Sequence, residues 1–84
     1  MDFEFYRNFI TVAETGNLTT ASKKLALAQP ALSAQIKTLE HYYGAKLIQT
    51  ARGKRQLTLT EAGEPFLGKA RQICRTEETI LLDM

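Results

Sequence analysis

The sequence is poor in the residues that catalysis and metal binding require. Its 84 residues include one cysteine, Cys74, and one histidine, His41, so neither an internal disulfide nor a cysteine–histidine metal cluster can form. The acidic residues are scattered, and the sequence has no glycine-rich phosphate loop. We therefore expect no enzyme, no catalytic residues, no cofactor and no metal.

Long hydrophobic runs are also missing. No apolar segment approaches the roughly 20 residues of a membrane-spanning helix, and the N-terminus lacks the basic start and apolar stretch of a signal peptide. With 44% hydrophobic and 24% charged residues, the composition is that of an ordinary globular domain. We expect one small cytoplasmic domain without membrane contact.

Positive charge is concentrated in the middle of the chain. Residues 15–59 carry seven Lys or Arg against one acid, Glu40, whereas residues 1–14 and residues 60–84 each have a net charge of −2. A basic middle between acidic ends is typical of a surface that faces a polyanion, although a merely solvated face would have the same composition.

Apolar periodicity predicts three helices in the first half of the chain. Residues 3–14 predict an amphipathic helix that stops at Gly16, and a short helix near 18–26 follows. A third helix runs from about 29 to 43 and ends at Gly44, a typical left-handed cap.

The third helix has an apolar side and a first turn of small and polar residues. Its apolar arc consists of Leu32, Ile36, Leu39 and Tyr43. We expect this side of the helix to pack against the core. Its first turn carries small and polar residues around Pro30, as a helix-turn-helix does where its second helix meets DNA. Gln29 suits bidentate contact with adenine, and Ser33 suits base edges or phosphate.

Residues 46–60, KLIQTARGKRQLTLT, predict a two-stranded hairpin with a basic tip. As a wing, this tip would reach phosphates or a minor groove with Arg52, Lys54 and Arg55. A flexible basic loop would have the same sequence.

Residues 60–84 predict one long helix with Thr60 as its cap. Its apolar stripe consists of Phe66, Leu67, Ala70, Ile73, Cys74, Ile80 and Leu81. An intramolecular core is one way to cover it, but a chain this short has little protein for that purpose. We therefore expect a dimer interface along this stripe, in which Cys74 is a small buried hydrophobe.

The run "FITVAETGNLTTASKKLALAQPALSAQIKTLEHYYGAKLI", followed by "LTLTEAG", resembles the N-terminal DNA-binding region of LysR-type transcriptional regulators over roughly residues 3–67. The resemblance implies a mainly α winged helix-turn-helix over residues 1–59, with a three-helix core and a small β-hairpin wing. A long linker and dimerisation helix would follow over residues 60–84. The resemblance also implies a larger regulator, whose C-terminal domain senses a small-molecule effector and is absent from this chain.

The resemblance further implies which residues contact double-stranded promoter or operator DNA. Those facing base edges would be Gln29, Pro30 and Ser33. The wing residues Arg52, Lys54 and Arg55 would contact the backbone or minor groove. Apart from the resemblance, we also expect phosphate contacts from Thr19, Thr20, Lys23 and Lys37. We expect sequence-specific binding and regulation of bacterial transcription by a homodimer on inverted half-sites, or by a tetramer in the full-length protein.

Some positions depart from the family pattern. Ala28 stands where the family usually has serine, and Ala34 where it often has arginine. Ile48 and Thr50 stand where it usually has phenylalanine and arginine, respectively. The stretch from 47 to 59 is also two residues longer than the commonest spacing. Arg52 or Lys54 would therefore replace the missing wing arginine.

A function of another class also fits part of the sequence. The chain could be a small protein-interaction module whose last helix pairs with another protein and whose basic face is only solvated. The run "QPALS" favours DNA binding, because an interaction module has no use for short polar residues at the start of that helix.

Overall fold

The computed structural model describes residues 2–51 and 56–84. In chain order the elements of this part of the chain are α1 (Phe3–Thr15), α2 (Leu18–Leu25), α3 (Gln29–Tyr43), β1 (Ile48–Thr50), β2 (Leu57–Leu59) and α4 (Gly63–Asp83). The two strands pair antiparallel, with Ile48 opposite Leu59 and Thr50 opposite Leu57. The predicted mainly α arrangement of three helices, a hairpin and a long last helix is confirmed.

Helix ends lie where the local sequence places them. Gly16 and Gly44 end α1 and α3 with φ angles of 63° and 66°, a left-handed conformation that glycine adopts without steric cost. The side chain of Asn17 caps α2 by accepting a hydrogen bond from the Thr20 amide at 2.9 Å. Less expected is Ala26, which ends α2 with φ 54°. This strained residue makes the tight turn from α2 to α3.

The core is centred on α1, which packs against α2, α3 and α4. Its largest fully buried side chains are Phe9, Leu32, Ile36, Leu39, Leu47 and Val12. Phe66 of α4 packs edge-on against Phe9 and Tyr43, with ring centroids 5.0 and 5.1 Å away. The expectation that Tyr43 belongs to the buried arc needs correction, since it is 44% exposed. As the last residue of α3, it contacts Phe66 but remains partly open to solvent.

One buried polar contact joins α1 to α3. Asn8 is 3% exposed, and its Nδ2 donates to Oε1 of Gln35 at 2.6 Å. A buried amide without a partner would cost about 1–3 kcal/mol, so this pair favours one register between the two helices.

The expected dimer stripe on α4 needs a correction. Ala70 and Cys74 are 1% and 7% exposed because they belong to the chain's own core, so a partner could not contact them. α1 covers α4 as far as Glu77, which forms an ion pair with Arg7. Burial also raises the pKa of the Cys74 thiol, in agreement with its interpretation as a small buried hydrophobe.

The other residues of the stripe fall into two groups. Phe66, Leu67 and Ile73 are half-buried and pack against the core. Ile80 and Leu81 are 57% and 62% exposed, and Ile80 lines a shallow groove with Phe3 of α1. The most exposed residues of the stripe are therefore those in the last turns of α4.

Candidate nucleic-acid interface

The first turn of α3 is open to solvent. Gln29 and Pro30 are exposed, and Ser33 is half-buried. Pro30 is tolerated there because its missing N–H would have no intrahelical acceptor. The next exposed positions on this side, Ala31 and Ala34, are small. A bulky surface can therefore approach the backbone closely at this end.

A hydrogen bond ties this end of α3 to α2. The hydroxyl of Thr19 donates to Oε1 of Gln29 at 3.2 Å. Thr20 and Lys23, the other predicted phosphate contacts on α2, are exposed. The structure thus brings Thr19 and Gln29 together, while Lys23 lies in the last turn of α2.

A cleft separates α3 from β1 and extends this surface. It is lined by Ser33 and Lys37 on α3 and by Lys46, Gln49 and Thr50 on the opposite side. Lys46, Gln49 and Thr50 were not predicted from the sequence to belong to the site. The excess of positive charge in the middle of the chain pointed to Lys46, but no local pattern indicated that β1 lies beside α3.

The hairpin is attached to the helix-turn-helix. The Leu57 amide donates to the carbonyl of Gly16 at 2.7 Å, which places β2 beside the turn between α1 and α2. Beyond β1, the Ala51 amide donates to the carbonyl of Gln56 at 2.8 Å and extends the ladder. The three predicted wing residues, Arg52, Lys54 and Arg55, lie outside the described residues, so their DNA contacts remain a prediction.

Comparison with known proteins gives a consistent result. The family described as "Bacterial regulatory helix-turn-helix protein, lysR family" matches residues 3–64. The chain is 40% identical over its whole length to the HTH-type transcriptional regulator BsdA of Bacillus subtilis (strain 168), of which it covers 29%. The chain spans less than a third of the length of the curated relatives that it matches.

Two solved structures with the same fold contain DNA. The CbnR_DBD–DNA complex superposes with a TM-score of 0.86 at 37% identity, covering 94% of this chain and 88% of that one. The BenM_DBD/benA site 1 DNA complex superposes with a TM-score of 0.87 at 33% identity, covering 96% and 92% respectively.

Within residues 2–51 and 56–84, no helix is both long and apolar enough to cross a membrane. The same residues contain no group of three His, Cys, Asp or Glu side chains placed to hold a metal ion.

Proposed function

Because this chain belongs to the lysR family of bacterial regulatory helix-turn-helix proteins, we propose that it binds double-stranded DNA sequence-specifically and so regulates bacterial transcription. The observation that carries the proposal is the open first turn of α3, where Gln29 and Pro30 are exposed beside half-buried Ser33. A major groove about 12 Å wide admits an α-helix. With α3 lying in the major groove, its first turn would contact base edges.

The charges around α3 support the proposal. Lys37 and Lys46 are exposed beside the cleft next to Ser33, and Lys23 is exposed on α2. Lysines at the edge of the groove would neutralise phosphates on either side of the recognition helix, and such contacts fix orientation without reading sequence. Thr20 would add a neutral donor to the same backbone, whereas the single hydroxyl proton of Thr19 is already donated to Gln29.

We further propose that residues 1–59 read DNA and residues 60–84 form the dimer. Ile80 and Leu81 are more than half exposed near the end of α4, and burying each would contribute about 1.5–3 kcal/mol. A symmetric dimer through α4 holds two recognition helices at a fixed distance, so the target contains two inverted half-sites.

The remaining expectations belong to the complete regulator. The relatives are transcriptional regulators, and we propose that this chain likewise binds without catalysing a reaction and acts in the cytoplasm. A small-molecule effector and tetramer formation are proposed for a C-terminal domain outside these 84 residues.

A two-step binding experiment tests the proposed function. First, selection from a pool of random duplexes identifies the sequence that the chain enriches. Fluorescence anisotropy then compares this sequence with a scrambled duplex of the same length, at two salt concentrations. We expect the selected duplex to bind at least 10³-fold more tightly, and both affinities to fall steeply with salt.

The alternative function predicts a different result. A protein-interaction module would enrich no sequence and would bind both duplexes equally weakly. That outcome would overturn the proposal.

A further inference from the structure

Glu40 lies in an unfavourable position for an acid. It is in the last turn of α3, where the partial negative charge of the helix end repels a carboxylate. The structure compensates this by two hydrogen bonds from the following segment. Its Oε2 accepts from the amide of Leu47 at 2.7 Å and from the amide of Ile48 at 3.3 Å. Glu40 thereby fastens the beginning of the hairpin to the recognition helix.

The same segment is fastened to the start of α4. The Thr60 amide donates to the carbonyl of Leu47 at 3.0 Å. The Thr60 hydroxyl donates to the carbonyl of Lys46 and accepts from the amide of Gly63 at 3.0 Å. Thr60 was predicted to be the cap of the last helix, but Ala62 occupies the N-cap position of α4. The residues around Leu47 therefore connect α3 to α4 by a short chain of hydrogen bonds.

We infer that Glu40 is a positioning residue, which acts through Leu47 and Thr60 to set the angle between the recognition helix and the dimerisation helix. This inference rests on the proposed function. The junction is the set formed by Glu40, the backbone of residues 46–48, Thr60 and Gly63. In a dimer held by α4, the geometry of this junction determines how far apart the two copies of α3 lie.

Helix length makes the separation sensitive to this angle. Gln29 lies 11 residues before Glu40, which is about 16 Å along α3. A rotation of about 10° about the junction would displace Gln29 by about 3 Å, close to one base-pair step. The buried side chains Ile36 and Leu39 keep α3 on the core, so loss of the carboxylate loosens the angle without removing the helix.

The test measures spacing preference separately from half-site affinity. Duplexes carry one half-site, or two inverted half-sites at the spacing selected by the wild-type chain and at spacings changed by one and two base pairs. Anisotropy titrations compare the wild-type chain with Glu40→Ala and Glu40→Gln. Circular dichroism melting establishes that each variant is folded.

We expect Glu40→Ala to keep its single half-site affinity within about twofold. Its preference for the selected spacing falls by about tenfold, which corresponds to one charge-assisted hydrogen bond. Glu40→Gln restores most of the preference, because an amide oxygen can accept from the same two N–H groups.

Two results would overturn the inference. One is a folded Glu40→Ala variant whose spacing preference is unchanged. The other is an equal loss on one and two half-sites, which would place Glu40 in half-site recognition. If Glu40→Ala does not fold, Thr60→Val takes its place, because it removes the hydroxyl on the other side of the junction. Thr60→Val should lose spacing preference as expected for Glu40→Ala, and Thr60→Ser, which keeps the hydroxyl, should retain it. A wild-type chain that enriches no sequence would instead refute the proposed function itself, before any variant is made.

Discussion

The hydroxyl of Thr19 on α2 donates a hydrogen bond to Oε1 of Gln29, the first residue of α3, at 3.2 Å. An amide oxygen has two lone pairs, so Gln29 can still accept from adenine N6 while its Nε2 donates to N7. We therefore predict that the Thr19 hydroxyl orients the amide for contact with both atoms before DNA is bound.

Replacement of Gln29 by alanine tests base reading. We expect Gln29→Ala to weaken binding to the selected duplex by about 1–3 kcal/mol and to relax the preference at one base pair, because a bidentate contact is lost. Anisotropy on duplexes substituted at each position measures both effects. Equal losses on selected and scrambled DNA would contradict a base-reading role.

Thr19→Val and Thr19→Ser separate orientation of Gln29 from other roles of Thr19. Valine keeps the shape but cannot donate to Gln29, and we expect it to lower discrimination at the same base pair by about 0.5–1.5 kcal/mol, the net worth of one hydrogen bond. Serine keeps the hydroxyl and should keep the discrimination. If valine instead weakens all duplexes equally, Thr19 contacts phosphate and does not orient Gln29.

The wing prediction concerns the salt dependence of affinity. Replacing Arg52, Lys54 and Arg55 together by glutamine should weaken binding to every duplex. It should also flatten the slope of log affinity against log salt by about three units, if each residue contacts a phosphate. Titrations at four salt concentrations give the slope. An unchanged slope would show that these residues do not touch the DNA backbone.

The dimer prediction is sharpened by the exposure of α4. Ile73 packs against the core, so a charge there would also disturb the fold, whereas Ile80 is 57% exposed. We expect Ile80→Asp to sediment as a monomer. It should lose roughly 10²-fold in affinity for two half-sites and little for one, because bivalent binding is lost.

Leu82 provides a matched control for this experiment. It is 85% exposed and lies on nearly the opposite side of the helix from Ile80, at about 100° per residue. Leu82→Asp should therefore sediment as the wild-type chain does. A wild-type chain that stays monomeric at high micromolar concentration would refute the dimer.

Two glycines of α4 should respond in opposite directions to alanine. A Cβ at Gly63 would lie 2.0 Å from the carbonyl oxygen of Leu47, so Gly63→Ala must displace backbone and should destabilise the fold by about 1–3 kcal/mol. At Gly68 a Cβ meets nothing within 4 Å, so Gly68→Ala should stabilise the helix by about 0.5–1 kcal/mol. Urea denaturation measures both free energies of unfolding. Similar values for the two variants would contradict the close packing at Gly63.

Much of the local structure could be predicted from the sequence because its causes are local. Gly16 and Gly44 end helices through their own backbone freedom. The spacing of Leu32, Ile36 and Leu39 places them on one side of α3, and all three are buried. The exposed Gln29 and Pro30 follow from the same spacing, so the candidate DNA-reading end of the helix was evident from the sequence.

Only the tertiary structure decided what covers each apolar surface and which polar groups meet. The sequence of α4 shows that its apolar stripe must be covered. It does not show that α1 covers Ala70 and Cys74 and leaves Ile80 exposed. The hydrogen-bond partners of Glu40 could not be predicted from the sequence either, because they are backbone amides, which every residue but proline possesses. Such contacts depend on how the helices and the hairpin are oriented, and packing between residues distant in the chain sets that orientation.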